Sequence, residues 1–191
     1  MASDKIAVIV AHPDDEVLAF GGTMCGHVDR GEPVSVLILA TGLAARTTDG
    51  QVDSASLKRL REEARAANKV LGVEHIEFAD FPDNRMDSVP LLDIIKRVLT
   101  FVEKVDPAIV YTHHQGDLNV DHEATARAVV TACRPVPGSR ISKIYAGEVL
   151  SSSEYSLANQ RFVPNTYVGI DRCVRRKCEA LQCYATEIRD W

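Results

Sequence analysis

Residues 12–16, His12-Pro13-Asp14-Asp15-Glu16, set one imidazole and three carboxylates directly after the apolar run Ile6-Ala7-Val8-Ile9-Val10 and Ala11. A buried strand needs no such charges for packing, and adjacent carboxylates repel unless a cation or a solvated helix start absorbs them. Histidine and aspartate are the ligand types of a catalytic metal site, which typically takes three protein ligands and leaves a position open. A tight turn lets His12 and Asp15 meet at one point. The third ligand must come from a distant segment: Thr112 to His122 holds His113, His114, Asp117, Asn119, Asp121 and His122. Of these, His122 is the first choice, with His113 and His114 behind it. Asp14 then stands beside the metal without being a ligand, the position of a general base that takes a proton from water and returns it to a leaving amine. Glu16 reads as a helix-start residue favoured by the N-terminal dipole. An ordinary helix N-terminus would also explain these acids, but it leaves the Asp121-His122 pair unexplained.

Both clusters follow segments that read as strands. The runs 5–11 and 34–40 are continuously apolar, as in a sheet covered on both faces, and 16–30 between them is helical. A polar loop over 42–55 precedes a charged helix over 56–71 that stops at Gly72, and Ile76-Glu77-Phe78 is a short strand. Beyond the turn Phe81 to Asp87 come a helix over 90–104, a strand over 108–111, the polar loop 112–121 and a helix over 122–133. A strand over 143–150, a segment 161–170 that reads as a strand broken by Pro164, and a helix over 172–184 complete the chain. This alternation predicts an α/β fold with a mostly parallel, doubly wound sheet, whose ligands sit beyond the carboxyl ends of strands. Asp117 and Asn119 also read as turn formers through local backbone bonds. Gly21-Gly22 falls inside a helix rather than in a GxGxxG turn, which disfavours a dinucleotide cofactor.

The chain has 191 residues, enough for one domain with a sizeable core over 1–191. A net charge of −5 argues against a broad nucleic-acid footprint. No apolar stretch approaches the roughly 20 residues that span a bilayer, and the first residues lack a signal-peptide pattern, so the expected compartment is the cytoplasm and no integral membrane segment is expected. The five cysteines, Cys25, Cys133, Cys173, Cys178 and Cys183, form no CxxC pair and read as small buried hydrophobes.

The segments Ala11 to Glu16 and Thr112 to His122 resemble the LmbE-like, or PIG-L, family of zinc-dependent N-deacetylases. The likeness extends to the Arg- and Glu-rich helix ending in Leu71-Gly72-Val73 and to the Phe81-Pro82-Asp83-Asn84 turn. It implies a Rossmann-like three-layer sandwich that holds Zn2+ or another divalent transition metal through His12, Asp15 and His122. It also implies Asp14 as general base and Asp121 as a carboxylate that orients an imidazole. Asn119 stands where many members carry a histidine that stabilises the tetrahedral oxyanion. That task falls to Asn119, or to His113 or His114 from the same loop. The resemblance further points to Asp83, and to Arg59 or Arg61, as holders of substrate hydroxyls. The chain ends where other members continue with further loop and strand, and such members often associate, so a homo-oligomer is expected.

The expected activity is removal of an N-acetyl group from an amino sugar or related small-molecule conjugate, releasing acetate and a free amine. The rival readings are a metal-dependent amidase acting on a thiol or antibiotic-precursor conjugate, and a non-catalytic sugar- or nucleotide-binding protein with a remnant metal site. A phosphoesterase would more usually use two metals, for which no bridging ligand set is evident.

Overall fold

A computed structural model of the chain describes residues 3–43, 53–155 and 160–188. Five parallel strands, β1 (Ile6–Val10), β2 (Val34–Ala40), β3 (His75–Phe81), β4 (Ile109–His113) and β5 (Lys143–Gly147), form one sheet in the order β3-β2-β1-β4-β5. The helices are α1 (Asp15–Asp29), α2 (Ser54–Leu71), α3 (Leu91–Val105), α4 (Val120–Ala132), the short α5 (Leu150–Ser153) and α6 (Val174–Gln182).

The period of a strand divides β1 between two cores. Ile6, Val8 and Val10 pack with Val17, Phe20 and Met24 of α1, with α2 and with Ala180 of α6. Ala7 and Ile9 pack with α3 and α4. On α3 the buried residues Ile94, Val98, Phe101 and Val105 recur at helical spacing and make one stripe against the sheet. Three layers result, as the alternation of elements predicts. The chain runs β1, β2, β3 outward in one direction and then returns to place β4 on the other side of β1. The winding therefore reverses between β1 and β4, and a crevice opens beyond their carboxyl ends.

Local chemistry moves several boundaries from their predicted places. Strand β1 stops at Val10 because the chain turns at once, with the His12 amide donating to Asp15 Oδ2 at 2.8 Å. Helix α2 begins at Ser54, before the predicted 56, because the Asp53 carboxylate caps the Ala55 and Ser56 amides. Helix α4 begins at Val120 because the Asn119 side chain accepts from the Asp121 amide at 2.9 Å. Residues 161–170 form no strand: no backbone hydrogen bond joins them to β5, and proline at 164 has no amide to donate. Most of the expected loop over 42–55 lies outside the described residues. Cys25, Cys133 and Cys173 are buried as expected, whereas Cys178 is exposed and Cys183 half-buried, because α6 is a short polar helix with one buried residue, Ala180. No helix among the described residues is long and apolar enough to cross a membrane.

Candidate metal centre

The crevice is built from two strand-to-helix connections. In the first, β1 ends between β2 and β4, the Ala40 amide donates to the Ala11 carbonyl at 2.7 Å, and the Ala11 amide donates to His113 Nε2 at 2.8 Å. These bonds fix where His12 leaves the sheet. In the second, β4 ends at His113 and the chain passes through a polar loop to the Asn119 cap, so Asp121 and His122 occupy the first turn of α4.

The two connections bring His12, Asp15 and His122 together. Asp15 Oδ2 lies 3.3 Å from His12 Nδ1 and 3.2 Å from His122 Nε2, and the two ring nitrogens are 3.3 Å apart. Metal–ligand bonds of about 2.0–2.1 Å in a tetrahedral site separate neighbouring ligand atoms by about 3.3 Å, so this triangle fits one small divalent ion without rearrangement. The donor set, two imidazoles and a carboxylate, suits zinc and its transition-metal neighbours.

Both candidate imidazole ligands are themselves held. The far nitrogen of His12, Nε2, lies 2.9 Å from Asp121 Oδ2. Asp121 is fully buried and also accepts the backbone amides of Asn84 at 2.6 Å and Met86 at 2.9 Å. The far nitrogen of His122, Nδ1, lies 3.2 Å from Asp117 Oδ1. Asp117 in turn accepts from the Ser153 hydroxyl at 2.5 Å and from the Asn119 amide at 2.9 Å. Thus each ring offers one nitrogen to the metal position and the other to a carboxylate, an arrangement that fixes tautomer and raises ligand basicity. Burial opposes the charged form of His122, yet Asp15 and Asp117 outweigh it and raise its pKa to about 9. Burial would raise the Asp117 carboxyl, but its bonds to His122 and Ser153 bring it down to about 2.

Asp14 adopts φ 103°, a left-handed conformation that an aspartate takes only under constraint and that costs about 1–3 kcal/mol. Its carbonyl accepts from Val17 and Leu18, and its amide donates to Glu16 Oε2 at 3.1 Å. Burial first, then the neighbouring charges of Asp15 and Glu16, hold the Asp14 carboxyl well above the usual carboxylate range. Glu16 stands in the first turn of α1, as expected from sequence, but it does not face solvent. It is completely buried, accepts from Asn68 Nδ2 at 2.9 Å and from the Tyr184 hydroxyl, and burial lifts its pKa to about 7.

A cavity of about 720 Å³ opens over the cluster and is lined by His12, Asp14, Asp15 and His122 together with Asp83 and Asn119. Leu18, Leu181 and Ile188 give it an apolar side. Asp83 is buried, with Oδ1 3.3 Å from His12 Nε2 and 3.0 Å from Asn84 Nδ2.

The remaining sequence candidates lie apart from this cavity. The His113 ring stacks on His122 with centroids 3.9 Å apart, and burial lowers its pKa to about 3. As the acceptor of the Ala11 amide it is a neutral packing plate behind His122, not a donor facing the cavity. His114 points to the other side of the loop, where Nε2 lies 2.6 Å from the Gln160 carbonyl and the ring meets Phe162 edge-on. Arg59 and Arg61 sit on the outer side of α2, paired with Glu63 and Asp80 respectively, and neither lines the cavity. Leu60 and Ala64 take the inner side. Of the three proposed oxyanion donors only Asn119 borders the cavity. Its Oδ1 caps α4, and one Nδ2 hydrogen meets Asn84 Oδ1 at 3.2 Å, which leaves the second.

Asp117, Ser153 and Tyr184 are the residues that reading the sequence missed. Asp117 carried a signal in its placement five positions before His122, but that placement equally suits a turn. Ser153 and Tyr184 carried none, because their partners Asp117 and Glu16 lie 36 and 168 positions away.

The chain is similar to known proteins over most of its length. Residues 7–133 match the family model described as PIG-L, GlcNAc-PI de-N-acetylase. The diacetylchitobiose deacetylase of Thermococcus kodakarensis is 28% identical over 96% of this chain and 70% of its own. The 4-oxalmesaconate hydratase of Pseudomonas putida is also 28% identical, over 96% of this chain and 74% of its own. Among solved structures, the N,N'-diacetylchitobiose deacetylase of Pyrococcus horikoshii superposes with a TM-score of 0.78 at 20% identity, covering 98% of this chain and 72% of that one. The matched span runs from β1 to the end of α4 and so contains both connections that build the cluster. By that span and the fold, the chain belongs to the PIG-L family.

Proposed function

We propose that the protein is a zinc-dependent N-deacetylase that hydrolyses the acetamide of an amino sugar or a related small-molecule conjugate. The observation that carries this reading is that the His12–Asp15–His122 triangle and the Asp14 carboxylate border one cavity. Zinc held there would act as a Lewis acid, activating water and polarising the acyl oxygen. Asp14, buried and surrounded by carboxylates, takes a proton from the attacking water and delivers it to the departing amine. The free Nδ2 hydrogen of Asn119 can meet charge developing on the acyl oxygen, a neutral donor where an imidazolium would be stronger. Asp121 and Asp117 keep the two imidazoles in the tautomers that face the metal position. Asp83 and Asn84 offer hydrogen-bonding groups to sugar hydroxyls, while Leu18, Leu181 and Ile188 can accept the apolar face of a ring.

The test is acetate release from a panel of N-acetylated sugars and sugar conjugates by zinc-loaded protein. Chelation should abolish release, and Asp14→Asn should retain zinc while losing turnover by roughly 10²–10⁴-fold. Full activity in that variant would remove Asp14 as the base. The hydratase relative supplies a second reading on the same scaffold. Water addition to 4-oxalmesaconate, followed by absorbance, with no acetate from any N-acetylated substrate, would favour it.

A further inference from the structure

The glycine pair Gly21-Gly22 plays no part in the metal centre, yet it meets the segment that carries α6. A Cβ on Gly22 would come within 2.7 Å of the Ile170 side chain, and one on Gly21 within 3.2 Å of Lys177 Cγ. The two glycines therefore form a notch in α1 into which the segment leading to α6 is seated. Two polar contacts hold it there. Lys177 Nζ donates to the Leu18 carbonyl at 2.7 Å, and Arg176 pairs with Asp29.

Seating α6 in this notch carries Tyr184 down to Glu16. Tyr184 is 1% exposed, and its hydroxyl donates to Glu16 Oε1. Glu16 Oε1 also accepts from Asn68 on α2, and its other oxygen, Oε2, takes the amide of Asp14. A buried carboxylate held by three donors from separate parts of the chain is fixed in direction, and here that direction is along the amide of a residue at φ 103°.

We propose that Tyr184 is a positioning residue: through Glu16 it holds the backbone of Asp14 in its left-handed conformation and so aims the Asp14 carboxylate into the cavity. The C-terminal helix thereby becomes part of the base's support. The kinetic half of this proposal rests on the deacetylase reading, and the backbone half does not.

Tyr184→Phe separates the two, because it keeps the ring that packs in the core and removes only the hydroxyl. Amide hydrogen exchange, read by NMR on the zinc-loaded protein, should show the Asp14 amide losing protection at least 10-fold while amides further along α1, those of Met24 and Cys25, keep theirs. Zinc content should be unchanged. On whichever N-acetyl substrate the wild type hydrolyses, kcat should fall roughly 10- to 100-fold with KM within about 2-fold, as expected for a misaimed reacting group. Gly22→Ala, which displaces Ile170 from the notch, should expose the Asp14 amide in the same way.

Unchanged Asp14 protection in Tyr184→Phe overturns the proposal whatever the activity. Equal loss of protection along α1 also overturns it, since Tyr184 would then be only a core residue. If the wild type releases no acetate from any substrate, the deacetylase reading fails, and the exchange result still decides whether Tyr184 holds Asp14.

Discussion

At residue scale, the site depends on three carboxylates in a row being made unlike one another. Burial would raise the Asp15 carboxyl, but the charge of His122 and hydrogen bonds with His12 and His122 hold it well below the usual range. Asp14 and Glu16 face other acids and apolar surface, and are raised. The crowding was legible in the sequence, since residue types and spacing alone carry it, and the division into ligand and base is the reading proposed above. The sequence could not display that Glu16 is buried, because its partners Asn68 and Tyr184 are supplied by other helices. Two substitutions follow. Asp14→Gly relieves both the left-handed strain and a buried carboxylate, so unfolding in denaturant should show a gain of about 1 kcal/mol, even after the entropy cost of glycine, while acetate release disappears. Asp117→Asn weakens the support of His122 Nδ1, and competition with a chelator should show zinc affinity down roughly 10- to 100-fold. Unchanged affinity would mean that Ser152, whose hydroxyl lies 3.3 Å from the same nitrogen, suffices.

At the scale of elements, what was legible was whatever a continuous pattern spells. The runs of β1 and β2 and the stripe of α3 need no distant partner to be read, and they stand where expected within a residue or two. Residues 161–170 look like a strand by composition, but strand formation needs a partner edge and donors. The structure leaves a cavity of about 750 Å³ between them and β5. A pH dependence belongs to this scale, because it joins the end of α1 to β4. His27 is buried with Nε2 2.9 Å from the Tyr111 hydroxyl and Nδ1 2.6 Å from Glu32 Oε2, and burial, helped by Arg30, leaves its pKa below 6.5 despite Glu32. The unfolded chain then binds the proton first. Stability from His27 is complete above about pH 6.5 and is lost as pH falls towards the folded value. His27→Gln should therefore lose less of its Tm between pH 7.5 and pH 5 than the wild type does. A parallel decline in both would exclude His27 from the acid response.

At the scale of the whole molecule, the candidate ligands come from two connections, one at the end of β1 and one at the end of its neighbour β4, and only the reversal of winding unites them. A metal ion bound there ties α1 to α4 across the sheet and binds no such triangle in the unfolded chain. Zinc at about 1,000 times its Kd should stabilise the fold by about 4 kcal/mol, seen as a rise in Tm that chelation reverses. The bond between Tyr184 and Glu16 spans still more of the chain, 168 positions. At synthesis rates of about 5–20 residues per second, Glu16 waits roughly 10–30 s for its last partner to be made. During that interval His12, Asp15 and His122 can all exist in the nascent chain, but the Asp14 backbone has no Tyr184 behind it. On the reading proposed above, the metal site can be complete on the ribosome before the base is held, so the arrival of Tyr184, just beyond α6, would time the onset of activity.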